Sequence, residues 1–457
     1  MSGSAFERGR RRRSTSFGPG QRAEIRMPLG WRLGLLVLPV ILCLAHLTFG
    51  ANQPAAALWL TAIFGLALTV VLATPLRAGL HDLTPASPLA LLFVLVIGVA
   101  LLSLTPWTPG GAHPLWAWAG GERGAATVDR SATLIEIVKL LGLAAVFVIG
   151  ALQGARRDRA QATVEAIVWV GGVYAALSLL TFLSGTQVAS LGGRLSGGFL
   201  SANSGGTVFG ILLVLGLAVF LRAWKRTIGQ GVPRRLTAAA APLSCLSLFA
   251  VCLLLTASRM GLVASSVALA VFLLWEMASS GRARAPVMAG AALLIGLGVL
   301  LTFSGNDLLW LRVGALDGDV DVRSSIFSAH WAAFIDSPLF GYGLGSFDAV
   351  NSQIMTGETY PNLWSIRATH NVYLQWLQEA GMVGAAPMFA LIGLVLIVSI
   401  LRAAGGRGRT LQLGLVCASL VVLVHGLTDY ALQVPSIAAF WAFLLGLQLT
   451  YGQGRGG

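Results

Sequence analysis

A few basic and imidazole side chains stand where an otherwise apolar chain has least reason to keep them. Arg194 lies in GGRLSGGFLSANSGG, where small residues on both sides let the backbone approach a bulky ligand and the guanidinium offers a planar donor fork to phosphate. Asn203 and Ser204, a few residues on, can cap the helix that follows. Arg259 lies in LLLTASRMGLVAS with apolar helix before and after it, so it occupies a tight reversal at a membrane boundary. It is either a snorkelling side chain that marks the interface or part of a site, since ionisable groups at membrane depth usually mark function. His370 precedes an expected helix over 371–380 that carries Asn371, Gln375 and Gln378 on one part and Tyr373, Leu374, Trp376 and Leu377 as apolar surface. An imidazole titrates near working pH and suits general-base duty, and Glu379 follows nine residues later.

Other polar features surround these residues. Arg323, Phe327, Trp331, Phe334 and Ile335 recur at helical spacing and predict an amphipathic helix on a membrane surface, ended by Ser337 and Pro338. GYGLGSF follows with no strand before it, so it reads as a tight turn exposing backbone donors and not as a nucleotide fingerprint. HGLTDYALQVP places His425 and Asp429 four residues apart on one expected helix face, either as a local packing pair or as substrate-positioning groups. Asp317, Asp319 and Asp321 read as solvated loop charge.

The elements that hold these residues are set by composition. With 457 residues, 56% hydrophobic and 11% charged, and a mean hydropathy of +0.78, the chain is far from the roughly 25% charge of a soluble domain. It reads as all-α and polytopic in a membrane. Apolar runs at about 33–50, 57–76, 88–105, 134–152, 162–184, 207–222, 237–257, 260–278, 286–303, 383–401, 411–430 and 433–451 predict about twelve spans. The first lacks a clean small-x-small site after it and reads as an uncleaved helix. Residues 1–32, with GRRRRS, Arg22, Arg26 and Arg32, read as a basic, disordered cytoplasmic tail.

Alternating the spans from a cytoplasmic amino terminus puts most of the 31 Lys and Arg on the inner side. The net charge of +13 therefore belongs to topology and does not call for nucleic acid. Both termini fall inside, and outer loops fall near 106–133, 185–206 and 304–382. Arg194, Arg259, Arg312, Arg323 and Arg367 then lie on the outer side, where cations are least expected and where an anionic ligand would want them. The expected division is a tail over 1–32, spans 1–9 over 33–303, an outer loop over 304–382, and spans 10–12 with a short tail over 383–457. An irregular segment as polar as that loop cannot sit in lipid, because each unpaired backbone group there costs several kcal/mol.

Cys43, Cys245, Cys252 and Cys417 fall within apolar runs with no C-x-x-C or Cys/His spacing, so neither disulfide nor metal site is expected. H-E-x-x-H, a P-loop and G-x-S-x-G are all missing, which leaves zinc proteolysis, ATP-driven work and serine hydrolysis unsupported.

In order, GRLSGGFLSAN, LTASRMGL, an R-x7-W segment with SPLFGYGLGSF, and HNVYLQWLQEAGMVG resemble the O-antigen ligase and O-antigen polymerase superfamily over about residues 190–435. The resemblance implies a GT-C-like membrane fold whose large periplasmic loop does the catalytic work at the bacterial inner membrane. It implies a metal-independent, inverting glycosyltransferase without cofactor. The donor would be a glycan on undecaprenyl pyrophosphate; the acceptor would be lipid A-core, another lipid-linked repeat, or a protein side chain. It assigns Arg194 and Arg259 to the pyrophosphate and His370 to the acceptor hydroxyl. Arg323, Asn371, Tyr373, Glu379 and Asn203 would contact substrate, although Arg323 and Glu379 could instead fix the loop helix and the turn at Gly381. Ligase, polymerase and protein oligosaccharyltransferase stay open, with ligase favoured. A transporter or flippase would need ionisable groups near the bilayer midplane and an internal repeat, and neither is evident.

Overall fold

The computed structural model describes residues 29–77, 79–80, 87–118, 124–187, 193–279, 316–405 and 409–453. Those residues fold into helices and turns. In chain order the helices are α1 (Leu29–Leu47), α2 (Pro54–Ala73), α3 (Ser87–Ser103), α4 (Leu115–Trp118), α5 (Arg130–Gly154), α6 (Arg157–Leu183), α7 (Ala202–Arg226), α8 (Val232–Leu255) and α9 (Arg259–Ser279). After them come α10 (Leu316–Asp336), α11 (Phe347–Ile354), α12 (Tyr360–Leu363), α13 (Val372–Gly405), α14 (Arg409–His425) and α15 (Pro435–Thr450).

Seven of these helices are long and apolar enough to cross a membrane, and the apolar stretches of α1, α3, α14 and α15 are shorter. The expected span at 286–303, the expected loop residues 304–315 with Arg312, and the tail up to residue 28 lie outside the described residues. The remaining apolar runs each meet a helix. α1 begins at Leu29, so residues 29–32 are helix and not tail; Pro28 directly before it suits a helix start. Asp317 and Asp319 stand in the first turn of α10 and Asp321 a little further along it, so these acids belong to a helix and not to a loop.

α7 is the axis of the bundle. It is apolar almost all round and nearly every residue in its apolar stretch is buried, as a helix without a polar face requires. α8, α9 and α14 pack around it. α2, by contrast, is mostly exposed on apolar side chains such as Trp59 and Leu66, the surface a lipid-facing helix presents.

Between spans in lipid, apolar surface supplies little driving force, so close backbone approach has to hold helices together. α5 and α15 show this. A Cβ on Gly446 would lie 2.0 Å from the Phe147 carbonyl oxygen, and one on Gly150 would lie 2.3 Å from the Phe443 carbonyl oxygen. The Thr450 hydroxyl adds a 2.6 Å hydrogen bond to the Ala151 carbonyl.

α13 is two helices joined at a break. Gly381 has φ 60° and ψ −178°, so a polar segment over 372–380 precedes an apolar one that begins after the break. The amides released there are not left unpaired, which in or near lipid would be costly. Met382 N–H donates to the Pro338 carbonyl at 2.8 Å and Val383 N–H to Leu339 at 3.0 Å. In the other direction Tyr342 N–H donates to Gln378 and Gly343 N–H to Glu379, at 3.0 and 2.8 Å. The turn after α10 is thus clasped across the helix break.

The two ends of the bundle differ in chemistry. At one end Arg222 meets Glu165 and Gln161, and Lys225 Nζ lies 2.5 Å from Glu276 and 3.1 Å from Thr410. The other end carries the α6–α7, α8–α9 and α14–α15 connectors together with the 338–371 segment.

Gly446→Leu, which drives a side chain into the α5 backbone, is expected to lower the thermal unfolding midpoint in detergent and to cost about 2 kcal/mol or more. Leu66→Ala on the exposed face of α2 is expected to leave that midpoint nearly unchanged.

Candidate functional site

Arg194, Arg259 and His370 come from three separate connectors, and the structure brings those connectors to the same end of the bundle. Leu195 N–H donates to the Leu255 carbonyl at 2.9 Å, which ties the loop before α7 to the end of α8. Arg194 Nε donates to the Thr256 carbonyl at 2.7 Å, three residues before Arg259, and Arg194 Nη2 donates to Asn203 Oδ1 at 2.8 Å. The α8–α9 reversal is short and strained. Ala257 has φ 46°, a left-handed conformation that a residue with a side chain adopts at a cost, and the Ser258 hydroxyl accepts from Gly261 N–H at 3.2 Å to start α9.

Asn203 does not cap α7. Ser201 does, its hydroxyl accepting from Asn203 N–H at 3.2 Å. The Asn203 amide is thereby released to link two partners: its Oδ1 takes Arg194, and its Nδ2 donates to Asp429 Oδ1 at 3.4 Å.

His425 and Asp429 do not share a helix face, because α14 ends at His425. The chain leaves the helix at Gly426, whose carbonyl accepts from Val372 N–H at 2.9 Å, so the 426–430 turn is held by the start of α13. His425 Nδ1 lies 2.7 Å from the Thr207 hydroxyl. Asp429 and His425 are each only 1% exposed. Even so, Asp429 Oδ2 and His425 Nε2 have no hydrogen-bond partner among the described residues. Buried polar atoms are nearly always paired, so these two are fit for a ligand group.

His370 also has a positive φ, 56°, and its ring meets Tyr430 edge-on with centroids 5.0 Å apart. Burial pulls the His370 imidazole below its ordinary value; Asp429 opposes this and Arg323 adds to it. Arg323 and Asp429 therefore share an electrostatic neighbourhood with His370, although they lie far apart in sequence. A neutral imidazole, a carboxylate and guanidinium donors converge here, at the end of a membrane bundle. Such a set can take a proton from a hydroxyl while neutralising an anionic leaving group.

The other expected site residues have visible structural bonds. Asn371 Oδ1 accepts from Tyr373 N–H and Leu374 N–H, both at 3.0 Å, and so caps the segment that follows. The Tyr373 hydroxyl donates to the Leu423 carbonyl at 2.8 Å. Glu379 is buried, its Oε2 accepting from Gly345 N–H at 2.7 Å and its Oε1 from Gln375 at 2.9 Å. The GYGLGSF turn therefore does not expose its donors; Gly341, Gly343 and Gly345 N–H are all spent on carbonyls or on Glu379. His330, which carried no assignment, is fully buried between Gln378 at 2.6 Å and Asn351 at 3.3 Å and braces α10 against α13. Arg367 is highly exposed and pairs with Asp348 at 3.5 Å. Among the described residues no three His, Cys, Asp or Glu side chains are grouped to hold a metal ion.

These features define a multi-pass helical membrane protein with a polar site at one end of its bundle. Residues 243–389, which include the Arg259 reversal, α10 to α12 and the His370 segment, match the family model described as O-antigen ligase. Over that segment the chain is similar to the O-antigen ligase family, which supports the O-antigen ligase and polymerase superfamily and a membrane role in glycan transfer for polysaccharide assembly. No curated protein matches the chain.

The position of His370 fixes a pH response. Its neutral form persists below the ordinary imidazole value of 6.5, so a reaction that needs it as a base is expected to keep its rate down to that pH and to lose it only below. Asp429→Asn removes the group that raises this value and is expected to move the acid limb lower, whereas Arg323→Gln is expected to move it higher. The pH profile of the initial rate, taken for all three proteins, checks both signs.

Proposed function

We propose that the chain is an inverting glycosyltransferase of the bacterial inner membrane, with its active site on the periplasmic side. It moves a glycan from undecaprenyl pyrophosphate to the hydroxyl of an acceptor, with lipid A-core as the preferred acceptor in an O-antigen ligase reaction. The observation that supports this most directly is the convergence of the Arg194–Asn203–Asp429 chain with His370 and Tyr430 at one end of the bundle. The family match over 243–389 supports the same reading.

On this reading His370 accepts the proton of the acceptor hydroxyl, whose oxygen attacks the anomeric carbon from the face opposite the leaving group. The bond from that carbon to the phosphate oxygen breaks, and undecaprenyl pyrophosphate departs. Arg194 and Arg259 stabilise its growing charge, because guanidinium forks match phosphate oxygens and gain strength where water is scarce. The two cations do what a divalent ion would otherwise do, so the reaction runs without metal or cofactor. Burial keeps the imidazole neutral and ready, and Arg323 adds to that against the opposing Asp429. Asn203 holds Arg194 in place, and Asn371, Tyr373 and Glu379 fix the segment that presents His370 to the substrate.

With the tail ended before α1 at Leu29, a division into spans up to 303 and over 383–457 and a catalytic loop over 304–382 completes the proposal, as do about twelve spans in a GT-C-like arrangement. A polymerase that joins lipid-linked repeats, or a protein oligosaccharyltransferase, would use the same donor chemistry with a different acceptor.

Arg194→Ala, Arg259→Ala and His370→Ala are each expected to lower transfer by on the order of 10²-fold or more while leaving the protein in the membrane. Gel analysis of surface glycans in a deletion strain complemented with each allele reads the outcome. Loss of all long chains from the acceptor, with lipid-linked polymer accumulating, identifies a ligase, and collapse to single repeats identifies a polymerase. Wild-type glycans with the Arg259 or His370 variant would overturn the site.

A further inference from the structure

A second space lies apart from the arginine cluster. A cavity of about 460 Å³ runs between α2, α3, α5, α13 and α15. Its wall is apolar along most of its length, with Phe64, Leu140, Ala144, Met388 and Trp441 among the lining side chains, and none of the lining comes from α6 to α9. Along α5 the lining extends from Glu136 to Ala151, a rise of about 22 Å at 1.5 Å per residue, most of the depth of a hydrocarbon core. Packed protein interiors hold few voids larger than water, so an apolar space of this size between spans suits a hydrocarbon chain.

The polar end identifies which hydrocarbon. Glu136, Lys139, Glu379 and Gln433 line it. Lys139, the cation of that lining, has its ammonium 2.5 Å from Glu136, and the Glu379 carboxylate is occupied by Gly345 and Gln375. Nothing there is arranged to receive a pyrophosphate, in contrast to the guanidinium groups on the other side of the bundle. Trp376 and Glu379, in the segment that follows His370, and Gln433, in the turn that follows Asp429 and Tyr430, line the cavity, so its wall is shared with the two segments that carry those site residues.

We infer that this cavity seats an acyl chain of the acceptor glycolipid, delivering its hydroxyl-bearing head to His370 from the side opposite the donor. The inference rests on the glycan-transfer reading and assigns the second substrate its own entry within the membrane. Donor and acceptor lipids then never compete for one groove, and the reacting groups meet at the turn over 426–433.

Full-length protein in nanodiscs containing phosphatidylglycerol with a diazirine in its acyl chain tests this. After irradiation, peptide mass spectrometry is expected to find adducts on Leu140, Ala144, Met388 or Trp441. Unlabelled acceptor glycolipid is expected to suppress these adducts, and undecaprenyl pyrophosphate is not. Ala144→Trp, which fills the space, is expected to remove the adducts several-fold and to raise the acceptor KM with little change in kcat; Met388→Trp serves if the first variant fails to fold. Adducts missing from these residues would overturn the assignment. So would displacement by undecaprenyl pyrophosphate, which would make the cavity the donor's groove, or adducts that neither lipid displaces, which would make it a bilayer-lipid seat. His370→Ala separates the two readings, because it is expected to abolish transfer and leave the adducts in place. Full transfer by that variant would count against the active site and not against the cavity.

Discussion

Everything at the end of the bundle that carries the candidate site depends on how the break at Gly381 is satisfied. A helix that stops at a membrane boundary releases amides and carbonyls that lipid cannot solvate. Here the turn after α10 takes them up, carbonyls 338 and 339 on one side and amides 342 and 343 on the other. The approach is backbone to backbone: a Cβ on Gly381 would lie 2.2 Å from the Leu339 carbonyl oxygen, and one on Gly341 would lie 2.4 Å from the Gln378 carbonyl oxygen. Glu379 completes the clasp by accepting from Gly345. Through this joint the polar segment is registered on the rigid bundle, and the residues that lead into it, His370 among them, inherit a fixed place.

Beyond the clasp, the polar network at this end has features of a site and not of a core. A core pairs its polar atoms, whereas Asp429 Oδ2 and His425 Nε2 are buried and unmatched among the described residues. A core also avoids backbone strain, yet Ala257 and His370 both adopt left-handed φ values that glycine would hold more cheaply. Each of these residues adjoins a group with chemistry: Ala257 sits two residues before Arg259, and His370 is itself the imidazole. The packing of α7, α8 and α9 and the Gly426–Val372 hydrogen bond sustain those conformations against their local preference.

Much of the frame was legible in the sequence, because apolar length alone reports a span. The break at Gly381 was readable as well, since a polar helix, a glycine and a new apolar run follow one another there. What could not be read was which partner each polar group would choose. Asn203 and Ser201 are both competent caps, and only the fold decides that Ser201 caps while Asn203 joins Arg194 to Asp429. His425 and Asp429 have helical spacing, but the carbonyl of Gly426 is taken by a helix more than fifty positions earlier, which ends α14 before the spacing can matter. The Tyr342, Gly343 and Gly345 donors of GYGLGSF looked free for the same reason: their acceptors, Gln378 and Glu379, are distant in sequence. The cavity is the extreme case, for its walls come from five helices and no single segment announces it.

The glycine contact between α5 and α15 also governs the order in which the protein can mature. The Thr450–Ala151 hydrogen bond spans 299 positions, so α5 enters the bilayer long before the helix that covers its glycines is translated. The turn bearing Asp429 leads directly into α15, so this late docking also sets the turn. A nascent chain therefore carries its guanidinium groups into the membrane early but cannot finish the constellation around His370 until α15 has docked. On the proposed reading, half-assembled molecules lack the complete set of side chains around His370, a consequence of the chain's connectivity alone.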